Sequence, residues 1–214
     1  MNTPQIRLLL VDDHFMVRMG MRNSLEEAPD MTVVAEAGSA GQAVALYAEH
    51  RPDVMLMDGR LPDFHGIVAA RKIRGEFPGS RIILISIDER EEDIHRAIEA
   101  GVQSYLPKSV GRDELLLAIR KVHAGGRYFP PEIAARVAQR RLREPLSARE
   151  VEVLNYVMKG FANKQIAEEL RITEATVKAH VSRVMAKLEV PDRTRAVMVA
   201  IQYGILHSDD PTND

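Results

Sequence analysis

The stretch Val54-Met-Leu-Met-Asp58-Gly-Arg-Leu-Pro62 determines how the first half of the chain folds. Four consecutive apolar residues are enough for a short strand that is buried on both faces, as in a parallel sheet. Gly59 and Pro62 end such a strand, which puts Asp58 at its carboxyl end. Because ligands of open parallel α/β sheets bind at that edge, we expect the Asp58 carboxylate to face a binding site.

Strand and helix patterns alternate on both sides of this stretch. Further apolar runs of the β type occur at 6–11, 31–35, 82–85 and 102–106. Helical periodicity follows the strands at about 15–25, 40–50, 67–77, 89–100 and 113–124. Five strands that alternate with five helices predict an α/β fold with a doubly wound, five-stranded parallel sheet over residues 1–124.

Composition restricts the class of protein. The chain has 214 residues, of which 45% are hydrophobic and 28% charged, as in one large or two ordinary globular domains. It has no cysteine, which excludes disulfides, thiolate metal sites and a cysteine nucleophile. The apolar run at 6–11 is too short for a signal peptide, and no stretch is long enough to span a membrane. We therefore expect a cytoplasmic protein without a membrane partner.

Charge divides the chain into an acidic and a basic part. Residues 1–124 carry 15 Lys/Arg against 19 Asp/Glu, a formal net charge of −4. Residues 125–208 carry 14 Lys/Arg against 9 Asp/Glu, a net charge of +5, and residues 209–214 form an acidic tail of −3. This asymmetry indicates that the two parts have different functions and that the basic part binds an anionic polymer.

Polar residues follow four of the predicted strands at one edge of the sheet. They are Asp12 and Asp13, Asp58, Ser86, and Lys108. Three neighbouring carboxylates repel one another unless a cation is bound, and ligation by oxygen alone suits Mg²⁺. Lys108 offers a point charge and Ser86 a hydroxyl donor for phosphoryl oxygens. We interpret these residues as a site in which a carboxylate accepts a phosphoryl group.

Each of these residues also has a purely structural interpretation. Asp12 and Asp13 are suitable helix N-caps, Ser86 is a common loop residue, and Lys108 suits a solvent-exposed surface. Their joint occurrence at successive strand ends favours a functional site, because converging charges cluster at such sites.

Residues 6–124 resemble the receiver domain of two-component response regulators, which has a flavodoxin-like fold. The motifs that carry the resemblance are Leu10-Val-Asp12-Asp13-His14, Met57-Asp58-Gly-Arg60-Leu-Pro62, Ile85-Ser86 and Tyr105-Leu-Pro-Lys108. The resemblance implies that Asp58 accepts a phosphoryl group from a sensor histidine kinase and that Lys108 contacts this group. The Mg²⁺ ligands that it implies are Asp13, Asp58 and the Arg60 carbonyl, with assistance from Asp12.

The resemblance also implies that Ser86 and Tyr105 form a conformational switch. The sequence departs from the receiver pattern at the residues that follow Ser86 and Lys108. Ile87 follows the switch hydroxyl, where a small residue is frequent, and we expect its branched side chain to narrow access to the phosphoryl group. Ser109 follows Lys108 in place of a proline, so we expect a trans peptide bond there.

Residues 125–145 are interpreted as a linker with a short helix, and residues 146–208 as an all-α domain of four helices. Ser147 and Glu150 have the spacing of a capping box, at the start of a helix that ends at Gly160. Two helices at about 163–170 and 173–188, joined by a tight turn, predict a helix-turn-helix. The fourth helix covers about 193–203.

The third of these helices has an apolar face and an opposite face of small and basic residues. The apolar face consists of Val177, Val181, Val184, Met185 and Leu188. The opposite face consists of Ala175, Ala179, Ser182 and Ala186, flanked by Lys178 on one side and by Thr176, Arg183 and Lys187 on the other. Small residues allow close approach to DNA and basic flanks meet phosphates, although any solvent-exposed amphipathic helix can carry such charges.

Residues 146–203 resemble the LuxR-type DNA-binding domain. The motifs are Leu146-Ser-Ala-Arg-Glu150-Val-Glu-Val-Leu154, Asn163-Lys164-Gln-Ile-Ala167 and Ile172-Thr-Glu-Ala-Thr176-Val-Lys178-Ala179-His180-Val181, followed by Lys187-Leu188 and Arg193-Thr194. Together the two resemblances imply the NarL/FixJ class of response regulators. They imply that Lys164 approaches the DNA backbone, that the third helix reads double-stranded DNA, and that the last helix often dimerises. Ser182 is a departure, because some members have a basic residue there.

These interpretations combine into a transcriptional regulator controlled by phosphorylation, and not an enzyme. Phosphorylation of Asp58 is expected to change the receiver surface, promote homodimerisation and free the recognition helix for DNA. The alternative is a DNA-binding regulator whose receiver is a dimerisation module independent of phosphorylation. Asp12-Asp13 matches neither the Asp-x-Asp nucleophile of dehalogenase-like hydrolases nor the glycine fingerprint of dinucleotide-binding oxidoreductases.

Overall fold

The structure is a computed structural model that describes residues 5–87 and 90–206. The chain divides into two compact units. The first contains the residues up to Val137 except Arg90–Glu92, and the second contains Arg90–Glu92 and the residues from Ala138 onward. The expected acidic tail at 209–214 lies outside the described residues.

The first unit is built on the predicted parallel sheet of five strands, and their order is β2-β1-β3-β4-β5. The strands are β1 (Ile6–Val11), β2 (Met31–Ala37), β3 (Val54–Asp58), β4 (Ile82–Ser86) and β5 (Ser104–Pro107). Only β5 begins later than expected. Val102 donates its N–H to the Ala97 carbonyl, which closes the turn after the preceding helix, and is therefore not available for the strand ladder.

Helices cover both faces of this sheet. They are α1 (Phe15–Glu26), α2 (Ala40–His50), α3 (Gly66–Glu76), α4 (Glu91–Glu99), α5 (Arg112–His123) and α6 (Pro131–Leu142). The expected start of the fourth helix at Glu89 lies outside the described residues. Leu25 of α1 and Ile119 of α5 share one core with the sheet, and Ala43 of α2, Ile73 of α3 and Ile94 of α4 share the other.

Alternate residues of the central strands point into these two cores. On β3, Leu56 packs in the α1–α5 core and Met57 in the α2–α4 core. Every residue of β3 and β4 is buried, as expected for central strands of a parallel sheet. The alternation determines which face each residue at the carboxyl edge will approach.

The segment interpreted as a linker is in part a component of the first unit. Ile133 of α6 is completely buried in the α2–α4 core, and the Tyr128 hydroxyl donates to Glu114 at 2.7 Å. A β-bridge joins Tyr128 to Ser104. The structure thus extends the first unit beyond the expected boundary at residue 124. The sequence does not indicate this, because Ile133, Val137 and Leu142 are only loosely periodic and do not define a buried helix face.

The second unit contains the four predicted helices around a core of its own. They are α7 (Ala148–Met158), α8 (Asn163–Leu170), α9 (Glu174–Lys187) and α10 (Arg193–Tyr203). The predicted capping box is present, since Ser147 Oγ accepts the Glu150 N–H and the Glu150 carboxylate accepts the Ser147 N–H. Val153, Ile166, Val177 and Ala200 are buried in the core of this unit. Within residues 5–87 and 90–206, none of the helices combines the length and the apolar character needed to cross a bilayer.

Candidate functional site

Asp12, Asp58 and Lys108 meet at the carboxyl edge of the sheet, as the order of the strands predicts. Lys108 Nζ lies 2.9 Å from Asp12 Oδ2 and 2.7 Å from Asp58 Oδ2. The residues two positions earlier, which point to the same face of the sheet, all pack in the α1–α5 core and are Leu10, Leu56 and Leu106. The alternation of the strands therefore directs the two carboxylates and the ammonium group to one place.

The site has more negative than positive charge. Asp12 and Asp58 are only 1% and 5% exposed, and Lys108 lies between their carboxylates. Burial raises the pKa of Asp58, and the opposing hydrogen bonds from Lys108 and from the Arg60 N–H do not cancel this effect. Burial lowers the pKa of Lys108, but its bonds to Asp12 and Asp58 outweigh burial and leave the pKa raised. Both directions follow from two buried carboxylates that share one cation, an arrangement that favours a second cation.

Asp13 and His14 lie beside this pair. His14 Nδ1 is 2.7 Å from Asp13 Oδ1 and 3.4 Å from Asp12 Oδ1. Potential ligand atoms of Asp12, Asp13, His14 and Asp58 all lie within 4.8 Å of one another. Three carboxylates match the preference of Mg²⁺ for hard oxygen ligands, so the residues fit the ion that the resemblance implies. Our sequence reasoning did not include His14, although its position next to Asp13 was a signal for it.

The loop between β3 and α3 begins at Asp58 and is held close to the sheet by its backbone. Gly59 donates its N–H to the Ile85 carbonyl at 2.9 Å, and its own carbonyl accepts the Gly66 N–H at 3.0 Å. A Cβ at Gly66 would collide with the Asp58 carbonyl, so glycine is required there. The Arg60 N–H donates to Asp58 Oδ1 at 3.3 Å, which keeps the backbone of Arg60 beside the carboxylate.

Asp63 fixes the far part of this loop to α2. Its two carboxylate oxygens accept the N–H groups of Ala40 and Gly41, at 2.9 and 2.8 Å, in the first turn of that helix. Carboxylates at this end of a helix also interact favourably with its dipole. Our sequence reasoning missed Asp63, because its partners are more than twenty residues earlier in the chain.

The two predicted switch residues lie on the opposite face of the sheet from Lys108. Ser86 and Tyr105 are buried, and Tyr105 packs in the α2–α4 core. Ile87 is 69% exposed, and the expectation that it narrows access to the site stays a prediction. All peptide bonds in the described part of the chain are trans, which confirms the expectation for Lys108 and Ser109.

In the second unit, α9 presents the predicted face of small and basic residues. Lys178, Ala179, Ser182 and Arg183 are exposed, and Lys164 is exposed in the first turn of α8. Thr176 is half-buried, and its hydroxyl is 2.8 Å from that of Thr173, which caps α9. Lys178 Nζ lies 3.0 Å from Glu174, an exposed pair that costs little to break.

Lys187 is less exposed than the other basic residues of α9 and is paired within the unit, so its expected role in DNA binding stays a prediction. Its side chain is only 16% exposed, and Nζ lies 2.9 Å from Glu150 Oε2 and 3.1 Å from the Pro145 carbonyl. The helical wheel assigned Lys187 to the edge of the polar face. It did not show that Glu150, whose carboxylate serves the capping box, also reaches the end of α9.

The fold and the site define a receiver domain joined to a helix-turn-helix domain. Residues 8–120 match the family model of the response regulator receiver domain, and residues 144–200 match that of the bacterial regulatory proteins of the luxR family. The chain therefore belongs to the two-component response regulators with a LuxR-type DNA-binding domain.

Similar proteins cover nearly the whole chain. It is 37% identical over 206 residues to the response regulator protein VraR of Staphylococcus aureus, across 94% of this chain and 99% of VraR. The response regulator ChrA of a heme-sensing two-component system is 35% identical, with a TM-score of 0.57 over 95% of this chain and 100% of ChrA. RcsB of Salmonella enterica serovar Typhimurium, bound to promoter P1flhDC with the phosphomimetic BeF3−, has a TM-score of 0.72 at 21% identity over 94% and 99%. The likeness to RcsB concerns the fold alone.

Proposed function

We propose that this response regulator is switched by phosphorylation of Asp58 by a sensor histidine kinase and then binds DNA as a homodimer. The observation that carries the proposal is the contact of Lys108 Nζ with both Asp58 and Asp12, at 2.7 and 2.9 Å. It combines a buried carboxylate with a cation that can remain beside a phosphoryl group. Membership of ChrA in a two-component system supports a sensor kinase as the donor.

In the proposed reaction an Asp58 oxygen attacks the phosphorus atom of the donor. A P–O bond to Asp58 forms as the bond to the donor atom breaks, and a phosphohistidine donor leaves as imidazole that takes a proton from solvent. Lys108 then balances charge on a phosphoryl oxygen instead of on the carboxylate, and the hydroxyl of Ser86 donates to another oxygen. Asp12, Asp13, Asp58 and the Arg60 carbonyl would hold Mg²⁺, which neutralises phosphoryl charge when bound.

The second unit supplies the proposed output. We infer that α9 enters the major groove of double-stranded DNA, where Thr176, Lys178, Ala179, Ser182 and Arg183 face the bases and the nearby phosphates. Lys164 at the start of α8 approaches the DNA backbone. Because DNA is the ligand and a phosphorylated kinase the donor, we place the protein in the cytoplasm. The match of residues 144–200 to the luxR family model supports the assignment of DNA binding to the second unit.

The phosphoacceptor is tested with acetyl phosphate, with and without Mg²⁺, by the amount of hydroxylamine-sensitive acyl phosphate on the protein. We expect stoichiometric labelling of the natural protein only with Mg²⁺, and none on Asp58→Asn. Asp113→Asn is the matched control, because Asp113 is an acidic residue in the first turn of α5. Asp13→Ala should weaken Mg²⁺ binding measured by calorimetry. Label that persists on Asp58→Asn would assign the phosphoacceptor to another residue.

Labelling that fails on the natural protein as well would favour the alternative function. In that case the receiver would act as a dimerisation module that does not depend on phosphorylation. The same preparation then has to bind DNA as a dimer without any donor, which gel-filtration and DNA-binding assays measure directly.

A further inference from the structure

The side chain of Ser86 occupies space that exists only because residue 59 is glycine. A Cβ on Gly59 would lie 2.8 Å from Ser86 Oγ and 3.0 Å from Ser86 Cβ. Carbon atoms do not approach oxygen or carbon this closely without a shift in one of the partners. Leu84 Cδ2, at 3.8 Å from the same point, would be at an ordinary contact distance.

The backbones of both residues are held on two sides and cannot easily give way. Gly59 donates to the Ile85 carbonyl at 2.9 Å and accepts from the Gly66 N–H at 3.0 Å. The Ser86 carbonyl accepts the Lys108 N–H at 2.9 Å, and Ser86 is paired with Pro107 in the sheet. The Ser86 side chain can reach another staggered position by rotation about χ1 without any movement of the backbone.

This hydroxyl position lies on the face of the sheet away from the Asp58 carboxylate. Side chains of successive residues in a strand point to opposite faces, and the N–H of Gly59 continues the ladder of β3 by one residue. Met57, two positions before Gly59, packs in the α2–α4 core, whereas Leu56, two positions before Asp58, packs in the α1–α5 core. A hydroxyl beside Gly59 must therefore rotate before it can donate to a phosphoryl group on Asp58.

We propose that Gly59 is a positioning residue that sets the resting rotamer of Ser86, and thereby the balance between the resting and the phosphoryl-bound form of the site. The inference rests on the proposed roles of Asp58 and Ser86. A methyl group at position 59 strains both rotamers through its contact with Ser86 Cβ, and it raises the energy of the resting rotamer further through the closer contact with Oγ. The population then shifts toward the phosphoryl-bound form, and ligands that need that form bind more tightly.

The test uses the full-length protein, Mg²⁺ and beryllofluoride, an analogue of the phosphoryl group, with binding measured by calorimetry. We expect Gly59→Ala to bind beryllofluoride about fivefold more tightly than the natural protein, a shift typical of a modest change in conformational population. A variant that only damages the structure would bind more weakly. Gly79→Ala is the matched control, because a Cβ on Gly79 meets nothing within 4 Å, and it should leave the affinity unchanged.

A double-mutant cycle with Ser86→Ala identifies the atom responsible. Ser86→Ala removes Oγ, the nearest atom to the added methyl group, so the gain from Gly59→Ala should disappear in the Ser86→Ala background. Persistence of the gain without Oγ overturns the inference, as does an unchanged or weaker affinity of Gly59→Ala itself. If the natural protein binds beryllofluoride in these cases, the proposed phosphorylation of Asp58 still stands.

Absence of binding by the natural protein overturns the proposed function and this inference together. Circular dichroism shows whether Gly59→Ala folds. Should it not fold, three-bond coupling constants of the natural protein give the χ1 angle of Ser86 with and without beryllofluoride. The inference requires a change of rotamer on binding, and an unchanged χ1 angle overturns it.

Discussion

The ammonium group of Lys187 donates to the carboxylate of Glu150 at 2.9 Å and joins the end of α9 to the first turn of α7. Burial raises the pKa of Glu150, but hydrogen bonds from the Ser147 backbone and from Lys187 outweigh it and leave the pKa lowered. Glu150 is therefore a buried carboxylate whose charge is balanced by the capping box and by Lys187. This contact fixes α9 at its C-terminal end.

We expect Lys187→Ala to destabilise the second unit, because it leaves the buried Glu150 carboxylate without its cation. The melting temperature of the unit should fall, and the salt dependence of DNA binding should keep its slope. Lys164→Ala is the comparison, since exposed Lys164 should leave the melting temperature unchanged and reduce the salt slope by about one. A reduced salt slope for Lys187→Ala, without loss of stability, would assign Lys187 to the DNA interface.

Lys178 and Lys164 are expected to differ in what they recognise. Lys178 lies near the start of α9, the part of a recognition helix that reaches base edges, and Lys164 lies in the first turn of α8. Lys178→Ala should therefore relax the preference for particular base pairs. Lys164→Ala should lower the affinity for all DNA sequences alike. Selection of binding sites from a random DNA pool measures both effects. Equal losses on all sequences for both variants would assign Lys178 to phosphate contacts.

Asp63 should make the loop that carries Arg60 sensitive to acid. Slight burial of Asp63 raises its pKa, but the N–H donors of Gly41, Ala40 and Phe64 outweigh this and hold the pKa below its ordinary value of 3.8. A group with a lowered pKa in the folded state stabilises the protein above its unfolded pKa, and this contribution is lost as pH falls through the folded pKa. The difference in unfolding free energy between the natural protein and Asp63→Asn should thus be constant at neutral pH and shrink below pH 3.8.

The measurement for Asp63 is urea unfolding of both proteins across this pH range. Asp113→Asn, on an exposed turn of α5, serves as the matched control for the replacement of a carboxylate by an amide. A difference between the natural protein and Asp63→Asn that stays constant at all pH values would show that the carboxylate charge does not hold the loop.

Ile133 tests whether the start of α6 is a structural part of the first unit. Ile133 is completely buried in the α2–α4 core, and its truncation to alanine should cost about 2–5 kcal/mol of unfolding free energy. Leu142 on the same helix is 87% exposed, so Leu142→Ala should change stability by less than about 0.5 kcal/mol. Native-state hydrogen exchange of amides in β3 and β4 reports the first unit specifically. Equal exchange rates in the two variants would show that α6 does not stabilise the first unit and belongs to the linker.

The parts that the sequence predicts well are those determined by local pattern. The apolar run before Asp58 and its alternation with helices define the sheet, and the order of strands then brings Asp12 and Lys108 beside Asp58. The capping box of Ser147 and Glu150 is equally predictable from the sequence, because both partners lie within one helical turn.

The parts that the sequence does not predict depend on contacts between distant residues. Asp63 meets α2, Lys187 meets Glu150, and Ile133 enters the α2–α4 core. No periodicity encodes such pairs, since each depends on where the chain returns after a turn. Gly59 belongs to the same class, because only the register of β3 against β4 shows that Ser86 occupies the space beside it.

Phosphorylation of Asp58 is expected to control DNA binding by the second unit. The acidic residues 1–124, with a net charge of −4, are tied to the basic residues 125–208, with +5, and such a receiver can compete with DNA for the recognition helix at high effective concentration. The second unit has its own core, so a fragment of residues 138–214 should fold and bind DNA without phosphate. We expect it to bind more tightly than the unphosphorylated full-length protein at equal salt. Acetyl phosphate should raise the full-length affinity and produce a dimer on two half-sites about one helical turn apart. If the full-length protein already matches the fragment, and acetyl phosphate changes neither its mass nor its affinity, the receiver does not inhibit the DNA-binding unit and the phosphorylation-independent alternative is correct.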